Sequence, residues 1–506
     1  MRTYSKKPCV FNTMIVILSI LFLSCSSEND RFEPIEKVFT PIIEFSYSPD
    51  VLRAQQEINF TGRWATGSSV IETWRWDFGD DLASTENTKD AVFVYPEEGT
   101  FKVSLTATDA DGASSTVSQD ITVIEPLKKP FEASIAWSFS NETAIPNPND
   151  ASKPAIGDDG TIYYSENYAN ADSRIVAVED LGATASKKWE VLPGYRIRQS
   201  PAIGPNGNLY IGLWAVDESI VQVNTDSGNF VYFDGVGAGI SNSTTAIDQT
   251  GNIYYGTRSE GIFSFDVSGT ERWNFQSSTS GARYYASPAL SADGTIVYAM
   301  MTNGEIYAIN TADGSAKWSE PYTFDGDGTG ASLSIDADGT IYYTTSTEVG
   351  AIQDNGTSGS VKWSYATTGA NSSGVSIGLE STLYVGTASG LVSLNATDGS
   401  ENWTYETIIE ESVPAVDNDG NVYVGTKDGL LLVINSDGEL LKQFNLSDNI
   451  VNSPLITDDG NIFVEAYDGS KITLHKITVI NGSGPAETAW PMKGQNGKNT
   501  ASAIIP

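Results

Sequence analysis

The stretch SADGTIVYAMMTNGEIYAINTADGSAKW, residues 291–318, alternates turn dipeptides with strand-like runs. Asp293-Gly294, Asn303-Gly304 and Asp313-Gly314 are the turns; TIVYAM, EIYAIN and AKW are the runs. Two-residue turns with glycine match the twist of adjoining antiparallel strands, so the stretch reads as consecutive hairpins. With the short apolar run SPAL at 287–290 placed first, the unit is a four-stranded antiparallel sheet. Such a sheet carries apolar side chains on both faces and cannot cover them alone. Radial packing of several copies covers both.

The copies are present. A glycine, a Thr or Asn, a branched aliphatic and an aromatic recur from Gly160, Gly207, Gly251, Gly294, Gly339, Gly420 and Gly460. A degenerate copy, LESTLYVG, has Ser381 in the glycine position. The spacings of 39 to 47 residues define eight units, and the fold expected over 133–492 is an eight-bladed β-propeller. Seven blades are the alternative if the copy at 372–406 folds irregularly. The grammar resembles the PQQ-like, quinoprotein-type propeller repeats.

An aromatic marks each fourth strand: Trp137, Trp189, Tyr232, Trp273, Trp318, Trp363, Trp403, Phe444 and Trp490. Nine such strands for eight sets of the other three leave one surplus. The expectation is that IAWSF at 135–139 completes the last blade and closes the ring, with the terminal AWPMKGQNGKNT, which runs into a tail at 493–506, packed outside or across the closure.

Upstream, residues 40–126 read as a second all-β domain. Short alternating strands with Gly, Asp and Pro turns every ten residues or so signal a sandwich. WRWDFGD followed by VFVYPEEGTFKVSLTATDADG resembles the PKD domain, an immunoglobulin-like module of cell-surface proteins. The resemblance rests on Trp76, Asp77, Phe78, Gly79 and Asp80, then Tyr95, Gly99 and Val103. It implies mostly structural roles for these residues. Trp64 and Trp74 are left over, read as core or contact residues first and as a sugar-stacking platform second.

The first 25 residues combine Arg2, Lys6 and Lys7 with the apolar run of VFNTMIVILSILFLSC. The run is short for a bilayer span of about 20 residues. It resembles a bacterial lipoprotein signal with Phe22-Leu23-Ser24-Cys25 as lipobox, which implies lipidation at Cys25. Residues 26–39 are polar and acidic, a flexible tether. Ser26, Glu28 and Asp30 suit outer-membrane sorting and export to the cell surface.

Composition excludes several function classes. The net charge of −35 repels nucleic-acid phosphates. Cys9 and Cys25 are the only cysteines, so there is no disulfide framework. His475 is the only histidine, which rules out a multi-histidine zinc site and fits a structural side chain in the strand-like KITLHKITV.

In a meandering blade the first and third turns share one face. The second turn and the blade-to-blade connection share the other, and there the loops are longer. Arg196, Arg198, Arg258 and Arg283 fall in those loops, beside Tyr195, Trp214, Tyr284 and Tyr285. Arginine with aromatics stacks on sugars or clamps carboxylates, so these eight are the ligand-binding candidates. Asp325 and Asp327, in DGDG, are a weak calcium candidate, because calcium takes six to eight oxygens. The resemblance to quinoproteins implies a calcium site, a catalytic Asp, a stacking Trp and often adjacent cysteines. This chain lacks adjacent cysteines and any marked catalytic Asp, so neither PQQ nor another cofactor is expected.

The expectation is a non-catalytic lipoprotein of the outer membrane, held by Cys25 and facing the cell surface. It would bind or scaffold a polysaccharide or an envelope protein. The alternatives are a propeller lipoprotein that helps assemble outer-membrane proteins, facing the periplasm, and, behind it, a PQQ-dependent dehydrogenase or an enzyme that cleaves glycosides with a carboxylate pair.

Overall fold

The computed structural model describes residues 40–49, 51–65, 70–80, 85–124, 131–141, 153–166, 173–197, 199–214, 218–234, 243–257, 261–277, 286–324, 331–367, 373–409 and 412–502. All regular structure among them is β. The signal-like segment, Cys25 and the tether lie outside the described residues. The chain divides into two compact units, 1–129 and 130–506.

The first unit is a two-sheet sandwich. One sheet holds Ile43–Ser48, Ile58–Trp64 and Asp90–Phe93; the other orders Leu52–Arg53, Ser114–Ile124, Gly99–Asp109, Ile71–Asp77 and Thr85–Glu86. Alternation sends Trp76, Val103, Leu105 and Ala107 inward, each fully buried. Phe45 meets the Trp76 ring edge-on at 5.1 Å, and the Tyr95 hydroxyl donates to the Phe78 carbonyl at 2.7 Å. Gly79, at φ +69°, lies so close to the Lys102 carbonyl that an added Cβ would sit 2.5 Å from it. Trp64 is 44% exposed, which sets it apart from the core. Its ring leans on Trp74 at 5.9 Å and lies under the Lys89 ammonium at 5.6 Å.

The described residues of the second unit form eight four-stranded antiparallel sheets. We number the blades in chain order: blade 1 spans 155–191, blade 2 202–234, blade 3 246–275, blade 4 289–323, blade 5 334–366, blade 6 375–406 and blade 7 415–445. Blade 8 takes three strands from 455–479 and its outermost strand, Ala133–Ser140, from the start of the unit. The ring is thus closed by strands from both ends, as the surplus aromatic predicted. Second and third strands are apolar on both faces, as in Ile162–Glu166 and Ile253–Gly256, which are buried along their whole length. Both faces of each blade are covered by neighbouring blades, which is why the runs are continuous rather than alternating.

The fourth-strand tryptophans stitch blade to blade. Each indole donates into the third turn of the following blade: Trp189 to the Thr225 carbonyl, Trp273 to Thr311, Trp363 to Ala396 and Trp403 to Ser436, all at 2.8–2.9 Å. The glycine of that turn lies against the ring. A Cβ on Gly314 or Gly399 would come within 2.7 or 2.5 Å of Trp273 or Trp363.

Three details differ from the sequence reading. In blade 2 the packed aromatic is Phe233, against Gly269, and not Tyr232. Val231 and Lys442 hold the tryptophan register in blades 2 and 7, pairing with Gln222 and Val433, and the aromatics Phe233 and Phe444 come two residues later on the same side. In blade 4 the fourth strand is only Tyr322–Thr323, and Trp318 precedes it, though its indole still reaches Asp354 at 3.0 Å. Finally, with Trp490 as the surplus aromatic, the terminal segment lies neither outside the ring nor merely across its closing blade but along the innermost strands. Amides of the innermost strands donate to its carbonyls: Ile156 to Gly497, Ile203 to Lys498, Ile247 to Thr500 and Leu290 to Ala501, all at 2.9 Å. Ile377 and Val416 do the same to Trp490 and Pro491. The segment therefore runs around the axis and caps the central channel on the face of the first and third turns. Its backbone groups find partners there that an outside position would leave to water.

Candidate binding faces of the propeller

The loop face carries three of the sequence-predicted candidates, Tyr195, Arg196 and Trp214. Ile197 anchors the connection from blade 1 to blade 2: it is fully buried, and its amide donates to Ser173 Oγ at 2.8 Å. That fixes Tyr195 and Arg196 at the rim. The Trp214 amide donates to the Arg196 carbonyl at 2.7 Å, so the loop after the second strand of blade 2 lies beside this connection. The Arg196 guanidinium lies 5.9 Å from the centre of the Trp214 ring. Tyr195 meets Tyr232 edge-on at 5.8 Å, and the Tyr232 hydroxyl donates to the Pro193 carbonyl at 2.5 Å.

The structure thus brings together Tyr195, Arg196 and Trp214 and adds Tyr232, which the sequence reading had assigned to blade packing. Its position one residue before the packed Phe233 was the available signal, because neighbours on a strand face opposite ways. Arg198, Arg258, Arg283, Tyr284 and Tyr285 lie outside the described residues, as do Asp325 and Asp327. Among the described residues no group of three or more His, Cys, Asp or Glu side chains is placed to hold a metal ion. A guanidinium over an indole with a tyrosine pair alongside sets a positive charge beside aromatic surface.

On the axis the innermost strands are joined by polar side chains. The Lys153 amide donates to Ser200 Oγ, Thr244 to Ser287 Oγ and Val413 to Ser453 Oγ, at 2.8–2.9 Å. The Asn499 amide, on the capping segment, reaches the Pro201 carbonyl at 2.8 Å. The Lys153 ammonium is fully buried and donates to the Asn496 carbonyl at 2.7 Å. Burial and the neighbouring Lys493 charge push its amine well below the usual lysine range. Sequence reasoning missed this lysine, which takes the place that Ser200 and Ser287 hold before the prolines of blades 2 and 4.

These features define an eight-bladed propeller with a capped channel and an aromatic-rich loop face. A family model described as outer membrane protein assembly factor BamB matches residues 171–405 and 389–482, and a PKD domain model matches 39–123. The first match covers more than half of the chain, and the chain belongs to that family, with a PKD domain ahead of its repeats. Among solved structures it is similar to BamB from Moraxella catarrhalis, at 16% identity and a TM-score of 0.51, covering 67% of this chain and 99% of that one. It is also similar to Sqt1 from Saccharomyces cerevisiae, at 10% identity and a TM-score of 0.52, covering 67% and 98%. At these identities the likeness shows the fold. A curated relative, collagenase ColA from Clostridium perfringens, is 31% identical over 117 residues, which is 22% of this chain and 10% of the collagenase.

Proposed function

We propose that the chain is a non-catalytic scaffolding protein of the outer membrane that holds a protein partner on the loop face of its propeller. The observation that carries this reading is the match of 171–482 to the outer-membrane assembly family. Two features support it. The opposite end of the channel is filled by the chain's own terminal segment. The loop face carries Arg196, Trp214 and Tyr195, residue types that anchor protein interfaces. In this reading lipidated Cys25 supplies the membrane anchor and no cofactor takes part.

A crosslinking amino acid placed at Tyr195 in living cells tests it. The expected product is a single adduct with an outer-membrane or periplasmic protein, lost in Arg196→Ala and in Trp214→Ala. An adduct unaffected by both substitutions removes the loop face from the proposal. The exposed indole of Trp64 favours a glycan ligand as second reading; it predicts retention on polysaccharide columns that Trp64→Ala abolishes. Cys25→Ser is expected to release the protein from the membrane fraction.

A further inference from the structure

Between blades 8 and 1, on the capped face, the terminal segment leaves a groove of about 1,330 Å³. Seven carboxylates line it, with two lysines. Three of the seven are answered by a cation. Lys188 pairs with Asp159 at 3.0 Å and Lys498 with Asp158 at 2.6 Å. Lys476 pairs with Asp180 at 2.6 Å. Glu179, Asp458, Asp459 and Glu487 have no cationic partner among the described residues.

The repeat explains the excess. The residue before each fourth-strand tryptophan sits at a bulge, where the register with the third strand slips by one. In blades 1 and 5 that residue is Lys188 or Lys362, and it pairs with the first-turn aspartate of its own blade, Asp159 or Asp338. In blade 8 the same bulge holds Ala136, while the first turn carries two aspartates, Asp458 and Asp459. In blade 1 the two first-turn aspartates are answered by Lys188 and Lys498, whereas the same pair in blade 8 has no cation built in. A second observation points the same way. Gln495 lines the groove and is 3% exposed, and its Oε1 has no hydrogen-bond partner. A buried carbonyl oxygen of this kind is an acceptor awaiting a donor.

We propose that this groove binds a lysine- or arginine-rich segment of a partner protein, with an ammonium or guanidinium taking the place that Lys188 fills in blade 1. The site is separate from the loop face and independent of the partner proposed there. A groove of this size takes several side chains, and its charge is complementary to a basic chain.

The test is fluorescence anisotropy on the full chain with a short labelled peptide of alternating lysine and glycine. The double variant Asp458→Asn/Glu487→Gln should weaken binding by roughly fivefold to tenfold, the size expected for two exposed charges that each face a bound cation. The control double variant Asp313→Asn/Asp398→Asn removes equal charge from exposed turns of blades 4 and 6 and should change affinity less than about twofold. Ala136→Lys restores the missing cation and should also weaken binding by roughly fivefold. It keeps the test alive if the first variant does not fold. Equal losses in the groove and control variants would reduce the effect to the general acidity of the chain and overturn the proposal. So would unchanged affinity in Ala136→Lys, or equal binding of a glutamate–glycine peptide.

Discussion

The Trp137 indole donates to Asp180 Oδ1 at 2.9 Å, joining the strand that completes blade 8 to the third turn of blade 1. Lys476 holds the other carboxylate oxygen at 2.6 Å, and Trp137 packs against Phe463 at 5.8 Å. One aspartate therefore ties together the two ends of the ring.

Removing this tie should open the propeller at the seam. Trp137→Ala is expected to lower unfolding free energy by about 3–5 kcal/mol in urea titration. Asp180 adds a pH dependence. Burial pushes its carboxyl up, but hydrogen bonds from Lys476, Trp137 and the Gly182 amide outweigh that and hold it below the carboxylate value of 3.8. Its contribution is therefore present above about pH 4 and lost as pH falls through the lowered value. Asp180→Asn should be less stable than the parent at neutral pH, with the gap closing below pH 4. A gap constant from pH 7 to pH 3 would show that the carboxylate charge is not what stabilises the seam.

The turn at the degenerate repeat offers a gain. Glu380 and Ser381 both have left-handed backbones, at φ +52° and +57°, where the other seven units place glycine at +67° to +88°. A non-glycine residue there is held at a penalty of about 1–2 kcal/mol. Ser381→Gly should raise stability by about 1 kcal/mol, the relief being partly offset by greater freedom of the unfolded chain. The reverse change at Gly314, φ +74° against the Trp273 ring, combines backbone strain with a clash and should cost about 2–4 kcal/mol. Thermal unfolding of the two variants in parallel measures both; a destabilised Ser381→Gly would mean that the serine side chain, not the backbone, sets this turn.

The sequence and the structure agree most where local chemistry repeats. Asp-Gly and Asn-Gly turns, continuous apolar strands and the periodic tryptophan made the eight blades and the closing strand Ala133–Ser140 readable before any coordinates. Blade 2 was misread because Tyr232 and Phe233 are adjacent aromatics, and one residue of register sends a side chain to the opposite face. The terminal segment was misread for a different reason. PMKGQNGKNTASA has no strand period, and its partners are the ends of inner strands brought together only by ring closure. The groove beside it was invisible for the same reason, since Ala136, Asp458 and Gln495 are far apart in the chain. At the candidate loop site Arg196 and Trp214 were legible from residue type, and their juxtaposition follows from a bridge between two loops.

His475 should titrate as a core residue. Its Nδ1 lies 2.8 Å from Ser138 Oγ, and burial, reinforced by the Lys471 charge, lowers its pKa from 6.5 to about 4. Between those values the unfolded chain binds a proton that the folded chain refuses, so stability falls as pH drops from 6.5 toward 4. The loss is on the order of 3 kcal/mol over that window. His475→Gln should flatten this part of the stability profile. NMR titration of the single imidazole gives the folded value directly, and a midpoint near 6.5 would place the ring in solvent rather than in blade 8.

The capping segment makes the most local prediction. Because the amides of Ile156, Ile203, Ile247 and Leu290 donate to residues 497–501, their protection from hydrogen exchange depends on the segment. Deleting 485–506 leaves those inner-strand amides without acceptors, and their exchange should speed up by orders of magnitude. Amides inside the second strands, such as those of Tyr163 and Tyr210, are bonded within their own blades and should stay slow. Asn499→Ala is the milder form: it leaves the Pro201 carbonyl without its donor and should cost about 1–3 kcal/mol. Inner-strand amides that remain protected after the deletion would show that the blades alone close the axis, and that the segment lies on a channel already shut. Uniform loss of protection across all eight blades would instead mean that the segment is what holds the ring together.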